Sequence, residues 1–232
     1  MKTSIRVLLP LLSFLAMTQA HATTPPAATH RSLIIIGASY AASWGEPALP
    51  GFRVTNKGKG GEESTAVRAR FDRDVIANKP DAVLVWGHIN DIFRAPPEKL
   101  EQVKRTACDN FRAMHEQARV AGIEMLIATE VTLTVGDGWL DQLRGFVGRL
   151  RGRENYNETI NRHVKDVNAC LRTYAAAQRL KLLDLEKAVD SGNGSRRAEY
   201  STDDGSHISP AGYAALTRFA VESLRPRAPA AP

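Results

Sequence analysis

Short apolar runs alternate with longer amphipathic stretches along this chain. Five runs rich in Ile, Val and Leu lack strict alternation with polar residues, a pattern typical of strands covered on both faces. These predicted strands span residues 32–37, 52–56, 81–87, 123–129 and 180–185. The intervening stretches carry apolar residues at helical spacing and predict helices at 63–78, 97–121, 159–179 and 210–224. This alternation predicts an α/β fold with a parallel sheet and right-handed crossover connections.

One segment, residues 130–158, is longer than a simple connection between a strand and a helix requires. Its apolar residues recur at helical spacing, and arginines crowd nearby; these apolar residues are Trp139, Leu140, Leu143, Phe146, Val147 and Leu150. One interpretation is an inserted helix that packs this stripe onto the core. The other is a lid, or a peripheral surface at 138–153 that contacts substrate or anionic lipid.

Both ends of the chain differ in composition from its middle. Residues 1–22 combine a basic start, an apolar stretch too short to span a bilayer and the small-residue sequence AHA, which predicts a cleaved signal peptide. We expect a flexible linker at 23–31, a single domain at 32–225 and a disordered Pro/Ala-rich tail at 226–232. The predicted location is therefore the periplasm or the exterior, without a transmembrane anchor.

Charge and cysteine content narrow the function classes. Lys and Arg number 31 against 25 Asp and Glu, so the net charge is +6, and it falls to +4 without Lys2 and Arg6 of the signal peptide. This charge is scattered, which argues against a nucleic-acid partner. In an oxidising compartment, Cys108 and Cys170 are candidates for a disulfide; the alternative is two separate buried thiols. No histidines lie at metal-ligand spacing near the cysteines, and we expect no metal or cofactor.

Polar, chemically useful residues follow four of the five predicted strands. The carboxyl ends of parallel strands meet at one rim of a sheet, where ligands bind. The four segments are Gly37-Ala38-Ser39, the glycine-rich stretch 56–64, the sequence GHINDI at 87–92 and the sequence DDGSHISPAGY at 203–213. The sequence thus predicts that a serine, a glycine loop, an asparagine and an Asp/His pair converge.

These residue types are the ones that acyl transfer requires. A serine is a weak nucleophile until an imidazole takes its proton, and the imidazole needs a carboxylate to orient it. We predict Ser39 as nucleophile, His207 as base and Asp204 as the orienting acid. The N–H groups of Ser39 and Gly61 and the side-chain amide of Asn90 are the candidate oxyanion donors.

The four segments in combination resemble the SGNH, or GDSL-type, serine hydrolase superfamily, whose blocks contribute Ser, Gly, Asn and His. The matching positions are Ser39 after Gly37, then Asn56, Gly58, Gly61 and Ser64, then Asn90 and Asp91, and finally Asp204 and His207. The resemblance implies a flavodoxin-like, three-layer α/β/α sandwich with a five-stranded parallel sheet. It also implies a metal-free Ser-His-Asp triad that hydrolyses esters or thioesters.

The chain departs from the family pattern at two positions. Ala38 stands where the family usually has Asp, which removes no proton-transfer group. His88 stands where a glycine is usual, either lining the pocket or forming an interior hydrogen bond. Tyr40 and Trp139 are further candidates for contact with substrate.

The expected activity is that of an exported serine esterase. Its substrate would be a small-molecule, lipid or acylated-glycan ester. Two alternatives stay open: a periplasmic O-acyltransferase that acts on a polysaccharide, and a non-catalytic carbohydrate-binding relative.

Overall fold

A five-stranded parallel sheet forms the centre of the computed structural model, which describes residues 30–136 and 155–225. Its strands are β1 (Arg31–Gly37), β2 (Phe52–Asn56), β3 (Ala82–Trp86), β4 (Glu124–Ala128) and β5 (Lys181–Leu183). The strand order is β2-β1-β3-β4-β5, and every neighbouring pair is parallel. The predicted strands and their parallel arrangement are confirmed.

The centre of the sheet is more deeply buried than its β2 edge. All five side chains of β3 are buried, whereas β2 alternates half-buried and exposed positions. The chain runs from β1 outward to β2 and then crosses back to β3 on the other side of β1. This reversal makes the crevice between the carboxyl ends of β1 and β3 the favoured ligand site of such a sheet.

Helices flank the sheet in two groups, which gives the predicted three-layer α/β/α arrangement. Their bounds are α1 (Ser39–Trp44), α2 (Ser64–Ala69), α3 (Phe71–Asp74), α4 (Ile89–Arg94), α5 (Leu100–Val120), α6 (Tyr156–Gln178), α7 (Leu185–Val189) and α8 (Pro210–Leu224). Short 3₁₀ turns occupy Ile76–Asn78, Pro97–Lys99 and Ala198–Tyr200. In one group α5 packs against α2, α4 and α6, and in the other α8 packs against α7 and, through Trp44 and Thr217, against α1.

The helix predicted at 63–78 is broken, and this expectation was wrong in detail. It divides into α2, α3 and a 3₁₀ turn, and the break falls at Arg70, whose ψ of 3° is outside the helical range. The Arg70 side chain turns inward and donates to the carbonyl oxygens of Gly37 and Lys57. The break thus coincides with tertiary hydrogen bonds that the helical pattern does not include.

The two cysteines form a disulfide, as predicted. Cys108 of α5 and Cys170 of α6 are bonded, with their Cα atoms 6.5 Å apart. The bridge joins the two longest helices of the described structure on one side of the sheet.

Several sequence predictions concern residues 1–29, 137–154 and 226–232, which lie outside the described residues. They are the signal peptide, nearly all of the linker, the tail, Trp139 and the surface at 138–153. None of the helices in the described residues combines the length and apolar character needed to span a bilayer.

Candidate active site

The turn between β1 and α1 places Ser39 at the carboxyl end of the sheet. A Cβ on Gly37 would lie 1.6 Å from the Trp86 carbonyl oxygen, so only glycine fits where β1 and β3 end together. The buried Ala38 precedes Ser39 in an extended conformation, next to Gly87. Ser39 is half-buried and begins α1, which exposes its backbone N–H at the first turn of the helix.

The glycine-rich loop after β2 is bound directly to α1. The Asn56 side chain donates to the Ala41 carbonyl at 2.7 Å and accepts from the Gly58 N–H at 2.7 Å. A Cβ on Gly58 would lie 2.3 Å from the backbone nitrogen of Ala42, so the loop can approach the helix only with glycine here. Gly61, further along the loop, is exposed and has a φ of +75°.

Asn90, a predicted oxyanion donor, is hydrogen-bonded to the residue after Gly61, the other predicted donor in this loop region. The Asn90 amide, in the first turn of α4, donates to the carbonyl of Glu62 at 2.9 Å. An asparagine amide carries two N–H donors, so one stays available to a ligand. Below it, the buried Asp91 accepts from the backbone and hydroxyl of Ser64, and burial raises the pKa of this carboxyl group to about 6.

Asp204 and His207 form the predicted acid and imidazole pair. Their side chains meet at 2.6 Å between Oδ2 and Nδ1, which leaves the Nε2 atom of His207 facing away from the carboxylate. The other carboxylate oxygen accepts from the backbone N–H groups of Ser206 and His207, both at 2.8 Å. The hydrogen bonds from the His207 backbone and ring hold the pKa of Asp204 well below its ordinary value. Both side chains are about half exposed, at 51% and 56%.

Contacts between α1 and α8 bring the Ser39 and His207 segments to the same rim. The Tyr40 hydroxyl donates to the Ser206 carbonyl, and the Tyr40 and His207 rings meet edge to face with centroids 6.4 Å apart. Behind them, Tyr213 donates to the Tyr40 carbonyl at 3.1 Å. Within the described segments, no hydrogen bond joins the Ser39 hydroxyl to the His207 ring. The neighbours of both residues are nonetheless bonded to each other.

Of the two interpretations of His88, contact with substrate or an interior hydrogen bond, its position favours the second. The His88 side chain is completely buried, and its Nε2 atom lies 3.0 Å from the Asn168 side-chain oxygen. Burial lowers the pKa of His88 to about 4, so its ring stays neutral in the interior. The interior hydrogen bond is thus the interpretation that fits. Tyr40 is only 4% exposed, so its hydroxyl serves the Ser206 turn more than a ligand surface.

Two buried charged residues at this rim were missed from the sequence. Glu130 accepts from the backbone N–H groups of His88 and Ile89 at the start of α4, and burial raises the pKa of its carboxyl group to about 7. Glu130 comes directly after the fourth predicted strand, the same signal that identified the other rim residues. Arg196, which contacts the turn before His207, lies in a loop without any such signal.

The described residues, 30–136 with 155–225, contain no cluster of three or more His, Cys, Asp or Glu side chains that could hold a metal ion.

Part of the sequence resembles a known esterase. The chain shares 38% identity over 63 residues with an acetylxylan esterase from Geobacillus stearothermophilus, a match that covers 27% of this chain and 29% of that enzyme. The chain thus spans less than a third of this curated relative.

Solved structures resemble the fold of most of the chain. A GDSL-like lipase from Bacteroides thetaiotaomicron has a TM-score of 0.64 at 17% identity, covering 88% of this chain and 92% of its own. An acetylxylan esterase from Geobacillus stearothermophilus has a TM-score of 0.59 at 18% identity, covering 84% and 94%. At these identities the likeness establishes the fold.

The family comparison covers most of the chain. The sequence model of the GDSL-like lipase/acylhydrolase family matches residues 36–215, well over half of the 232 residues. The matched range contains every residue of the candidate site, from Ser39 to His207. This chain belongs to the GDSL-like lipase/acylhydrolase family, and that membership supports an ester hydrolase.

Proposed function

We propose that the protein is an exported serine esterase that hydrolyses carboxylic or thio esters through an acyl-enzyme, using a single domain at 32–225. The observation that carries this proposal is the Asp204–His207 pair, on a turn that is hydrogen-bonded to the residue after Ser39. A hydroxyl nucleophile, a base and a group that orients the base are a combination that supports nucleophilic acyl transfer.

In the proposed mechanism, the Ser39 oxygen attacks the ester carbonyl carbon while His207 Nε2 takes the hydroxyl proton. Asp204 keeps its charge because its pKa is low, and it orients the ring through Nδ1. The protonated His207 then gives its proton to the leaving alcohol or thiol, which leaves an acyl group on Ser39. A water molecule then gives a proton to His207 and attacks the acyl carbon; the bond from this carbon to the Ser39 oxygen breaks, His207 returns the proton to that oxygen, and the carboxylic acid leaves.

Three donors would stabilise the negative oxygen of the tetrahedral intermediate. They are the backbone N–H groups of Ser39 and Gly61 and the amide hydrogen of Asn90 that Glu62 does not use. Loss of one such donor typically costs about 3 kcal/mol of transition-state stabilisation. The Asn90 bond to Glu62 keeps the amide near Gly61, so little reorganisation is needed during the reaction.

The substrate class follows less directly from the site. The half-exposed Asp204–His207 pair makes an open site compatible with small-molecule, lipid or acylated-glycan esters. The name of the Geobacillus relative adds acetylated xylan to the substrates to be tested. The signal peptide predicted at residues 1–22 supports a periplasmic or secreted location, where such esters are accessible.

The decisive variant is Ser39→Ala, with Ser43→Ala on the same helix as its control. On p-nitrophenyl acetate we expect Ser39→Ala to lose roughly 10⁴-fold or more in kcat while circular dichroism stays unchanged. Ser43→Ala should stay within about threefold of the original protein. Turnover by a folded Ser39→Ala variant near that of the control would refute the proposal.

Two further measurements separate the alternative activities. A fluorophosphonate probe should label the protein at Ser39, whereas a non-catalytic binding relative would stay unlabelled. Product analysis with an acetyl donor and a glycan acceptor should yield free acetate. Transfer of the acetyl group to the glycan would identify an acyltransferase instead.

A further inference from the structure

The Arg196 side chain is completely buried beneath the turn that carries His207. Its Nη2 atom donates to the carbonyl oxygens of Gly205 at 3.2 Å and Ser206 at 2.7 Å, and its Nε donates to the Ser201 hydroxyl at 2.9 Å. Its own backbone N–H is fixed by the Leu133 carbonyl after β4. Arg196 therefore links the residues after β4 to both sides of the turn.

The contacts of Arg196 are unusual for a buried charge. Buried guanidinium groups are ordinarily paired with carboxylates, because desolvation of an unpaired charge is costly. Among the described residues, no carboxylate forms an ion pair with Arg196, and its Nη1 atom has no hydrogen-bond partner. The charge-assisted hydrogen bonds to the turn are thus the main polar interactions of this group.

Tyr40 and Arg196 converge on the same carbonyl oxygen. The Ser206 carbonyl accepts from the Tyr40 hydroxyl as well as from Arg196, using both of its lone pairs. The guanidinium carbon lies 5.8 Å from the centre of the Tyr40 ring. Because Tyr40 follows Ser39 and Ser206 precedes His207, this carbonyl is the point where the two segments of the site are fastened together.

We propose that Arg196 is a positioning residue, which fixes the 204–207 turn against Tyr40 and thereby sets the place of the His207 ring relative to Ser39. The inference rests on the proposed roles of Ser39 and His207. Gly205 has a φ of +69° and is partly exposed, so without the guanidinium water could solvate these carbonyls and the turn could rotate. A displacement of about 1 Å between reacting groups can cost about 10²-fold in rate.

The test compares Arg196→Met and Arg196→Lys with Arg172→Met. Arg172 is bonded to the carboxylates of Asp184 and Glu186 and touches none of the proposed catalytic or oxyanion residues, so it controls for the general loss of a partly buried arginine. On p-nitrophenyl acetate we expect kcat to fall about 10²-fold in Arg196→Met, with KM within about threefold. In Arg196→Lys, which keeps the charge but lacks the fork of guanidinium donors, kcat should fall about tenfold.

The rate of fluorophosphonate labelling should follow kcat through this series, and Arg172→Met should keep the original kcat. A folded Arg196→Met variant with the original kcat, or with a changed KM alone, would overturn the inference. Loss of folding in both Arg196 variants would also overturn it, because the arginine would then serve the whole fold rather than the turn. Ser39→Ala separates this from the function itself: if that variant stays active, the proposed nucleophile is wrong, whatever Arg196 does.

Discussion

The candidate site has two halves, one from Gly37 to Asn90 and one with Asp204 and His207, and each is held by a buried arginine. The charges of these two arginines are balanced in different ways. Arg70 has a side chain only 6% exposed and donates to the carbonyls of Gly37 and Lys57, which joins the Ser39 turn to the glycine-rich loop. It also pairs with the carboxylates of Glu62 at 2.7 Å and Asp74 at 2.9 Å. Arg196 fastens the His207 turn to Tyr40, and within residues 30–136 and 155–225 no carboxylate pairs with it.

Because of this difference, we expect the first half of the site to be rigid and the second half to move more easily. In the half of the site from Gly37 to Asn90, backbone lies against backbone, and a paired charge ties the loops together. In the half with Asp204 and His207, the turn is about half exposed, and Tyr40 and Arg196 hold it through hydrogen bonds to its backbone carbonyls. We therefore expect substitutions in the first half to lower the free energy of unfolding more than kcat. Substitutions in the second half should lower kcat more than the free energy of unfolding.

Arg70→Met should have the largest effect on stability. It leaves the Glu62 carboxylate and two inward-facing carbonyls without their donor, and loss of one member of a buried ion pair typically costs about 3–5 kcal/mol. Because Asp74 keeps its hydrogen bond to Arg73, we expect the loss of unfolding free energy to lie near the lower end of this range. The measurement is urea unfolding of Arg70→Met beside Arg196→Met. A larger loss of unfolding free energy in the Arg196 variant would contradict the comparison.

Gly58→Ala should have the next largest effect, and Gly60→Ala is its matched control in the same loop. A Cβ at residue 58 would lie 2.3 Å from the Ala42 nitrogen, whereas a Cβ at residue 60 would meet nothing within 4 Å. Overpacking of this kind typically costs about 1–3 kcal/mol, so we expect roughly 2 kcal/mol for Gly58→Ala. Gly60→Ala should change stability by less than about 0.5 kcal/mol. Equal thermal melting temperatures for the two variants would show that the loop is not bound to α1 as described.

The rim itself was predictable from the sequence, but the residues that hold it together were not. Each catalytic candidate directly follows a predicted strand or precedes the predicted last helix, so topology alone placed Ser39, Asn90 and His207 at one rim. Arg70 occupies an ordinary position in a helical pattern, and the carbonyl it binds belongs to Gly37, 33 residues away. A hydrogen bond to a backbone carbonyl leaves no trace in the identity of the partner residue. Such contacts are therefore invisible in a single sequence.

The short helices were missed for a related reason. The elements α1, α4 and α7 have six, six and five residues, which is less than two turns and too short for a helical period. They form because the chain must turn back from the carboxyl ends of β1, β3 and β5 at the rim. Of the two buried charged residues missed from the sequence, Glu130 could have been identified, unlike Arg196. It directly follows the strand predicted at 123–129, so an extension of the same rule to the fourth strand would have identified it.

Glu130→Gln should give the smallest effect, and it tests whether the charge of Arg196 is truly unbalanced. Burial raises the pKa of Glu130 from 4.5 to about 7, so the folded protein binds this proton more tightly than the unfolded chain. The contribution of Glu130 to stability must then fall as the pH rises from about 4.5 to 7. A glutamine can still accept from the His88 and Ile89 N–H groups but cannot ionise.

We therefore expect the free energy of unfolding of Glu130→Gln, measured in urea, to rise relative to that of the original protein. The expected rise is on the order of 1 kcal/mol between pH 5 and pH 8. The difference between the two proteins is the quantity to compare, because His88, with its pKa lowered to about 4, gives the opposite slope in both. The charges of Glu130 and Arg196 both act on the buried Tyr40 hydroxyl. A variant that instead loses stability toward pH 8 would show that ionised Glu130 balances Arg196 at a distance. The two halves of the site would then be held by equally compensated charges, and the contrast between Arg70 and Arg196 would disappear.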